Sequence, residues 1–315
     1  MGSLVELEKK AKFSFLELTF LTKVEKSILN AAGTSGGNLT ELKKTTEIDD
    51  SQRIFVSGSS MKWSVKKYWK ENEKRTHELT SPVVEKQEGA QISSACDPSK
   101  YIDDDLFGYF NTAKNQARYA PVKTSGMISL FDVGPDIDNL VRYSQKSQNH
   151  SLFDKEISTN VFRSTWAIEL DRIGKAEKGV EAKDAVDLPI KTKEWRVKLF
   201  LESIFDLWLR TQQANYLTNT QPDLVALVFR EDKSLIVGNK LSIDNKYNVD
   251  IEALKEALRY HENKISLAYV ASHRSFIKNF DDLKSLNGQL DNKVFVSDLI
   301  TLKEKLLSDE FKLIR

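Results

Sequence analysis

The stretch Ser51–Lys70, SQRIFVSGSSMKWSVKKYWK, holds five basic residues and no acidic one, in a 315-residue chain whose formal net charge is only +1. It predicts a short strand over Arg53–Val56, a Ser/Gly turn over Ser57–Ser60 and then an amphipathic helix. Met61, Val65, Tyr68 and Trp69 fall at i, i+4, i+7 and i+8 and so share one face. Lys62, Lys66 and Lys70 recur every fourth residue on the neighbouring face. A hydroxyl-rich helix N-terminus offers N–H groups to an anion, and a lysine row extends that positive field, which is one way to hold a run of phosphates. A lysine stripe alone is more often a solvated face. The surrounding chain has to decide.

Upstream, Phe13–Glu25 (FSFLELTFLTKVE) is rich in aromatic and branched residues and predicts a long strand, followed by a loop containing Gly33, Gly36 and Gly37. Downstream, the polar run from about Lys74 to Tyr101 reads as an inserted loop region. Asp103-Asp104-Asp105 reads as a surface turn rather than a cation site, because consecutive side chains point in different directions. RYAPVKTSGMISLFDV predicts a strand pair, or one strand with a bulge near Ser125-Gly126. Residues 134–165 form a polar excursion that returns in TWAIELDRIG, where Trp166, Ile168 and Leu170 share a face. A second, charged excursion covers Lys175–Lys193, and the spacing of Leu201, Ile204, Phe205 and Trp208 predicts a helix over 194–216. Then come a strand (DLVALVFR), a hairpin-like region over Ser234–Asn248, a helix over Ile251–Tyr260, a strand (ISLAYVA) and a helix over Ser297–Leu307. Stripped of its excursions, this order is compatible with an α+β class, an RRM-like (ferredoxin-like) core carrying insertions.

Forty per cent apolar, 30% charged and 10% aromatic residues describe a globular chain, either one large domain or a core domain with insertions. The balanced charge excludes a uniformly basic nucleic-acid coat, so a polyanion site has to come from local clustering. One cysteine, Cys96, excludes an internal disulfide and suits a reducing cytoplasm. No run approaches 18 apolar residues and the N-terminus lacks a hydrophobic signal core, so a cytoplasmic protein without a membrane partner is expected. The four histidines, His77, His150, His261 and His273, are scattered. His261-Glu262 begins like a zincin signature, but Ile265 stands where the second histidine belongs. No phosphate-loop or dinucleotide fingerprint is present, and Cys96 has no adjacent histidine. No metal, cofactor or catalytic residue is therefore expected.

Nucleic-acid chemistry fares better. Besides Lys62 and Lys66, the basic or polar residues Asn38, Lys43, Lys44 and Arg53 lie nearby in sequence, and Ser57, Ser59 and Ser60 add donors for phosphate or sugar oxygens. The 134–165 excursion mixes Arg142, Lys146, His150 and Arg163 with Leu152, Phe153 and Phe162. Phe162 is expected to pack at the base of this excursion. Leu152-Phe153 reads either as local packing or as an exposed tip, one that wedges a base step or docks on a neighbouring protein.

Five motifs in order resemble the backbone subunit of type I CRISPR surveillance complexes (Cascade), of the RAMP superfamily, most closely the DevR-like branch of type I-B. They are LNAAG…GN, QRIFVSGSSMKWSVKKYW, DDDLFGYF, APVKTSGMISL and EISTNVFRSTWAIELDRIG, and the resemblance covers roughly residues 13–175. It implies an RRM-like palm (1–70, 120–135 and 166–315), a finger-like insertion (71–119) and a thumb (136–165) with its tip near His150–Phe153. It further implies guide contacts at Ser57, Ser59, Lys62 and Lys66. One departure is that the family turn carries glutamine between its serines, where this chain has Ser57-Gly58-Ser59-Ser60. The implied partners are a CRISPR RNA guide, a target DNA strand, further copies of the chain and other Cascade subunits (the guide 5′-end cap subunit, the repeat-processing endoribonuclease and the large subunit). Guide binding must ignore spacer sequence, which suits lysines and serines aimed at phosphate and 2′-OH groups. Two rivals remain. One is a type III-like subunit that cleaves target RNA with a metal and Asp49 or Asp50; the other is a DNA-binding autoregulator, for which no helix-turn-helix pattern is evident.

Overall fold

The computed structural model describes residues 6, 8, 10–35, 38–72, 94–112, 115–132, 134–142, 151–209 and 214–314. The first half carries strands β1 (Phe15–Ser27), β2 (Ala31–Ser35), β3 (Leu39–Leu42), β4 (Lys44–Thr46), β5 (Gln52–Val56), β6 (Tyr109–Asn111), β7 (Gln116–Arg118) and β8 (Val122–Ser129). After these come β9 (Asp136–Arg142), β10 (Ser151–Glu169), β11 (Lys175–Ala176), β12 (Val186–Asp187), β13 (Leu224–Arg230), β14 (Ile265–Ser272) and β15 (Val294–Ser297). The helices that pack on them are α1 (Gly58–Glu71), α2 (Ile102–Phe107), α3 (Ile190–Phe205), α4 (Ile251–Tyr260) and α5 (Leu299–Leu307).

β1 organises the molecule because it is buried on both faces from Phe15 to Thr22. Leu16, Leu18, Phe20 and Val24 enter one hydrophobic cluster, and Leu21 enters a second. A strand buried on both sides belongs at the centre of a sheet. It pairs antiparallel with β13 on one side and β10 on the other; β10 in turn pairs antiparallel with β8, giving the order β13-β1-β10-β8. β14 and β15 extend one edge and β5 and β4 the other, within an eleven-stranded sheet. The first core lies between this sheet and the helices. Met61, Val65 and Trp69 of α1, Phe200, Leu201 and Ile204 of α3, and Leu302 and Leu306 of α5 meet Phe162, Trp166 and Ile168 there. The ring centroids of Trp166 and Phe200 are 5.3 Å apart, and Trp69 stacks on Phe107 at 5.3 Å.

The opposite sheet face is closed by the segment 231–250, α4 and the residues after β14, which form the second core with Val161, Leu224, Ala226 and Val228. Glu17 ties that segment down. Its fully buried carboxylate accepts the backbone N–H groups of Ile236 (2.6 Å), Val237 (2.9 Å) and Gly238 (2.7 Å). Ser234–Asn248, expected as hairpin-like, contains no strand; an isolated antiparallel bridge joins its Ile243 to Val249 just beyond it.

Several expectations need correcting. The helix expected at 194–216 is α3, which starts at Ile190 after Pro189 and stops at Phe205. Beyond it Leu207 and Leu209 stay buried, but the Thr220 hydroxyl serves their backbone, accepting from Leu209 N (2.9 Å) and donating to Leu207 O (3.0 Å). The glycine loop is partly strand, since β2 pairs antiparallel with β3; Gly36 and Gly37 lie outside the described residues. The excursion at 134–165 is shorter than expected, because β10 already begins at Ser151 and runs unbroken into the central sheet for 19 residues. Its first part pairs antiparallel with β9 and parallel with β3.

The bulge expected near Ser125-Gly126 is present as a register shift between Ser164 and Trp166 opposite β8. Gly126 has φ +78°, and a Cβ there would lie 2.1 Å from the Val56 carbonyl oxygen. Only glycine lets β8 pass this close to the β5–α1 junction.

Candidate nucleic-acid interface

The turn expected over Ser57–Ser60 is the helix start itself. Ser57 is the N-cap of α1, and its hydroxyl accepts from Ser60 N at 3.3 Å. Ser59 is exposed in the first turn, while Ser60 is half-buried and its carbonyl accepts the Ser64 hydroxyl at 3.1 Å. Lys62, one turn on, is half-buried with its ammonium 5.3 Å from the Phe107 ring centroid. Burial first, then the charges of Lys66 and Lys123, hold its pKa below the usual lysine range. The Lys66 ammonium lies 2.9 Å from Asp103. Trp63, 50% exposed, carries Lys67 at 5.1 Å from its ring centroid. This i, i+4 pair lies off both faces that the spacing singles out, the apolar one and the Lys62–Lys66–Lys70 row.

A second group of candidates lies on the strands before α1. Arg53 is half-buried on β5, opposite Thr45. Lys43 is half-buried, and its backbone N donates to Asn30 O at 3.0 Å. Lys44 is engaged: Glu156 takes its ammonium at 2.8 Å and the Leu42 N–H at 2.8 Å. Asn38 is exposed, and its carbonyl accepts from Asp154 N at 3.1 Å, which joins this group to β10.

The third group is on the β9–β10 hairpin. Leu152 is 59% exposed opposite Val141, while Phe153 is half-buried opposite Leu140. Arg142 ends β9, paired with Ser151, and His150 falls outside the described residues. Tyr216 anchors the hairpin base by donating to Asp138 at 2.7 Å, with the Lys155 ammonium 5.6 Å from its ring centroid. Phe162 is core, as expected. Arg163 is not brought to the lysine row. It is half-buried on the other sheet face, where its η1 nitrogen donates to the carbonyls of Asn239 (3.4 Å) and Leu241 (3.3 Å).

A family model described as CRISPR-associated negative auto-regulator DevR/Csa2 matches residues 18–222. The chain belongs to this DevR/Csa2 family. The match reaches past the motifs quoted above, through α3. Two solved structures share the fold. One chain, titled "CRISPR RNA-guided surveillance complex", has a TM-score of 0.58 at 15% identity, covering 93% of this chain and 98% of that one. Another, "CRISPR RNA-guided surveillance complex, pre-nicking", has a TM-score of 0.56 at 12% identity, covering 94% and 100%. Among curated proteins, none matches this chain significantly. No helix among the described residues is long and apolar enough to cross a membrane.

Within this DevR/Csa2 member, the DDDLFG motif turns out to be an internal anchor and not the expected surface turn. Its aspartates form the first turn of α2 and all three are buried. Asp104 accepts from Asp97 N at 2.8 Å. Asp105, completely buried, accepts from Arg118 (2.6 Å), Arg196 (2.7 Å) and Gly174 N (2.9 Å). The two guanidiniums continue to the carbonyls of Asp105, Pro98, Ser99, Arg172 and Lys175. Gly108, at φ +69°, closes the motif where a Cβ would meet the Arg118 carbonyl at 2.2 Å.

A second ion cluster sits where β10 ends. Glu169 accepts from Lys123, from Lys233 at 3.1 Å and from Arg172 at 3.4 Å. Burial raises its pKa, but the lysine hydrogen bonds and charges outweigh this and hold it at about 2. Because the folded value lies below the unfolded one, the stabilisation is complete above about pH 4.5 and is lost as pH falls towards 2. Glu169→Gln is expected to flatten the acid limb of a stability–pH curve in that window; an unchanged limb would remove this assignment.

Proposed function

We propose that the chain is a non-catalytic, repeated backbone subunit of a type I-B Cascade effector, binding a CRISPR RNA guide through its phosphate backbone. The observation that carries this reading is the family match, whose span of residues 18–222 takes in most of β1, the lysine helix α1, α2, β8 and the β9–β10 hairpin. The titles of the two structures of similar fold, both CRISPR RNA-guided surveillance complexes, support it. The order β13-β1-β10-β8, with α1 and α3 as crossovers on one face, supports an RRM-like palm. The long hairpin of β9 and β10 corresponds to the thumb (136–165) and residues 71–119 to the finger-like insertion. Lys62, with Ser57 and Ser59 beside it, would touch phosphate and sugar oxygens. The hairpin tip near Leu152 would meet the next copy and kink the guide, leaving bases free to pair with target DNA. Copies of the chain, a guide 5′-end cap subunit, a repeat-processing endoribonuclease and a large subunit are the proposed partners.

The test is to express the chain with a guide and to size the particles and their RNA. Particle length is expected to grow with guide length. Lys62→Ala combined with Lys66→Ala is expected to weaken RNA binding at least about tenfold at physiological salt, from one or two lost phosphate contacts, while the monomer stays folded. A discrete RNA-free monomer or dimer indifferent to guide RNA at low salt would overturn the reading. The family is also described as a negative auto-regulator, which favours a second reading as a duplex-DNA binder. Retardation of duplex DNA in preference to guide RNA would select it. Magnesium-dependent RNA scission lost in Asp49→Ala or Asp50→Ala would instead make the chain catalytic.

A further inference from the structure

The lysine row of α1 is not uniform. The Lys66 ammonium lies 2.9 Å from Asp103, whose side chain is 1% exposed against 42% for the lysine. Asp103 cannot follow that ammonium outward. It stands on α2, whose next two residues are fastened to Asp97 N and to the Arg118–Arg196 pair. For Lys66 to meet a phosphate it would have to give up its pairing with this buried carboxylate in exchange for a solvent-screened contact on the exposed face. Lys62 is in the opposite situation. It makes no ion pair with a described carboxylate, and the charges acting on it are those of Lys66 and Lys123. An anion arriving there relieves repulsion instead of breaking a pair.

We infer that Asp103 is a positioning residue of the basic face, holding Lys66 inward so that α1 offers RNA one charge fewer than its lysine spacing counts. This rests on the RNA-binding reading of α1. Asp103 thereby sets how tightly the face grips a polyanion. The carboxylate comes from a different segment of the chain from the lysines it governs, so the DDDLFG motif and the basic helix act as one unit.

The probe is a single-stranded RNA of mixed sequence, titrated at several salt concentrations. Asp103→Asn frees Lys66 and is expected to tighten binding several-fold and to steepen the salt slope by about 0.7, the increment for one phosphate contact on a single strand. The charge-conserving double variant Asp103→Asn with Lys66→Met is expected to bind within twofold of the unaltered chain. Lys62→Gln is expected to weaken binding and to make the slope about 0.7 shallower. Because Asp103 is buried, thermal unfolding checks each variant, and lysine acetylation footprinting of the unaltered protein provides a readout that needs no substitution. RNA is expected to protect Lys62 and to leave the modification rate of Lys66 unchanged. If RNA protects Lys66 as well as Lys62, or if a folded double variant loses as much affinity as Lys62→Gln, the role of Asp103 is wrong while the RNA-binding face stands. If Lys62→Gln changes nothing and RNA protects neither lysine, the RNA-binding reading of α1 itself falls.

Discussion

Asp105→Ala is expected to destabilise the fold by about 3–5 kcal/mol, the range for removing one partner from a buried ion cluster. The side chain is completely buried, and it is the carboxylate on which Arg118 and Arg196 converge, at 2.6 and 2.7 Å. Arg118 also reaches Glu181 at 3.1 Å, and Glu181 is shared with Arg172 at 2.8 Å, so Asp105 is the carboxylate that Arg118 and Arg196 have in common. Deleting Asp105 leaves Arg196 with carbonyl partners only and strips Gly174 N of its acceptor. Four pieces of chain lose their common tie: α2, β7, the Gly174 turn and α3. The destabilisation should therefore reach the helix layer and not remain local. A chemical-denaturation midpoint would measure it, and a loss below about 1 kcal/mol would mean that water or a neighbour replaces the carboxylate.

Glu17→Ala is expected to have an effect of similar size by a different route. Three consecutive buried N–H groups, from Ile236 to Gly238, lose their acceptor together. At about 1–3 kcal/mol for each buried donor left unmet, the total is at least about 3 kcal/mol unless water enters. The segment cannot simply re-pack, since Gly238 already approaches Thr165 closely enough that a Cβ would sit 3.1 Å from its hydroxyl. Hydrogen exchange is the sharper measurement. The amides of 236–238 should lose protection before those of β1, whereas Glu17→Gln, which retains one acceptor oxygen, should keep part of it. Equal protection in both variants would mean that the segment is held by its apolar contacts alone.

Glu17 also illustrates what the sequence could not disclose. In FLELTF it reads as the polar partner of an alternating strand, and only a segment 219 residues away makes it an internal acceptor. The same distance problem hid the aspartate triplet, whose arginines lie 13 and 91 residues from Asp105. By contrast, β1, α1, α4 and β14 were legible because their apolar spacing was local and uninterrupted. The tail of α3 was misread because Trp208 continues the helical spacing at i+7, whereas the ring is partly exposed and the backbone around it turns to Thr220. For the candidate interface, the lysine spacing was visible, but the division of labour between Lys62 and Lys66 was not. That division depends on which lysine meets α2, and Arg163 was likewise drawn into the candidate set by its neighbours in sequence although its strand turns it to the other face.

The unbroken run of β10 carries a mechanical consequence. Nineteen residues of extended chain at about 3.3 Å each make a beam of roughly 60 Å. One end is clamped between β1 and β8 in the middle of the molecule, and the other is splinted by β9 and β3. A beam held this way at both ends passes a push on its far end into the sheet core, apart from what the register shifts opposite Val24–Ser27 and at Ser164–Trp166 take up. If copies of the chain touch one another through that end, their spacing and relative tilt are set by the stiffness and twist of a single strand. The distance between neighbours would then be written into the length of β10, as on a ruler, and inserting or deleting two residues ahead of the clamp would change the pitch of the whole assembly while leaving each subunit intact.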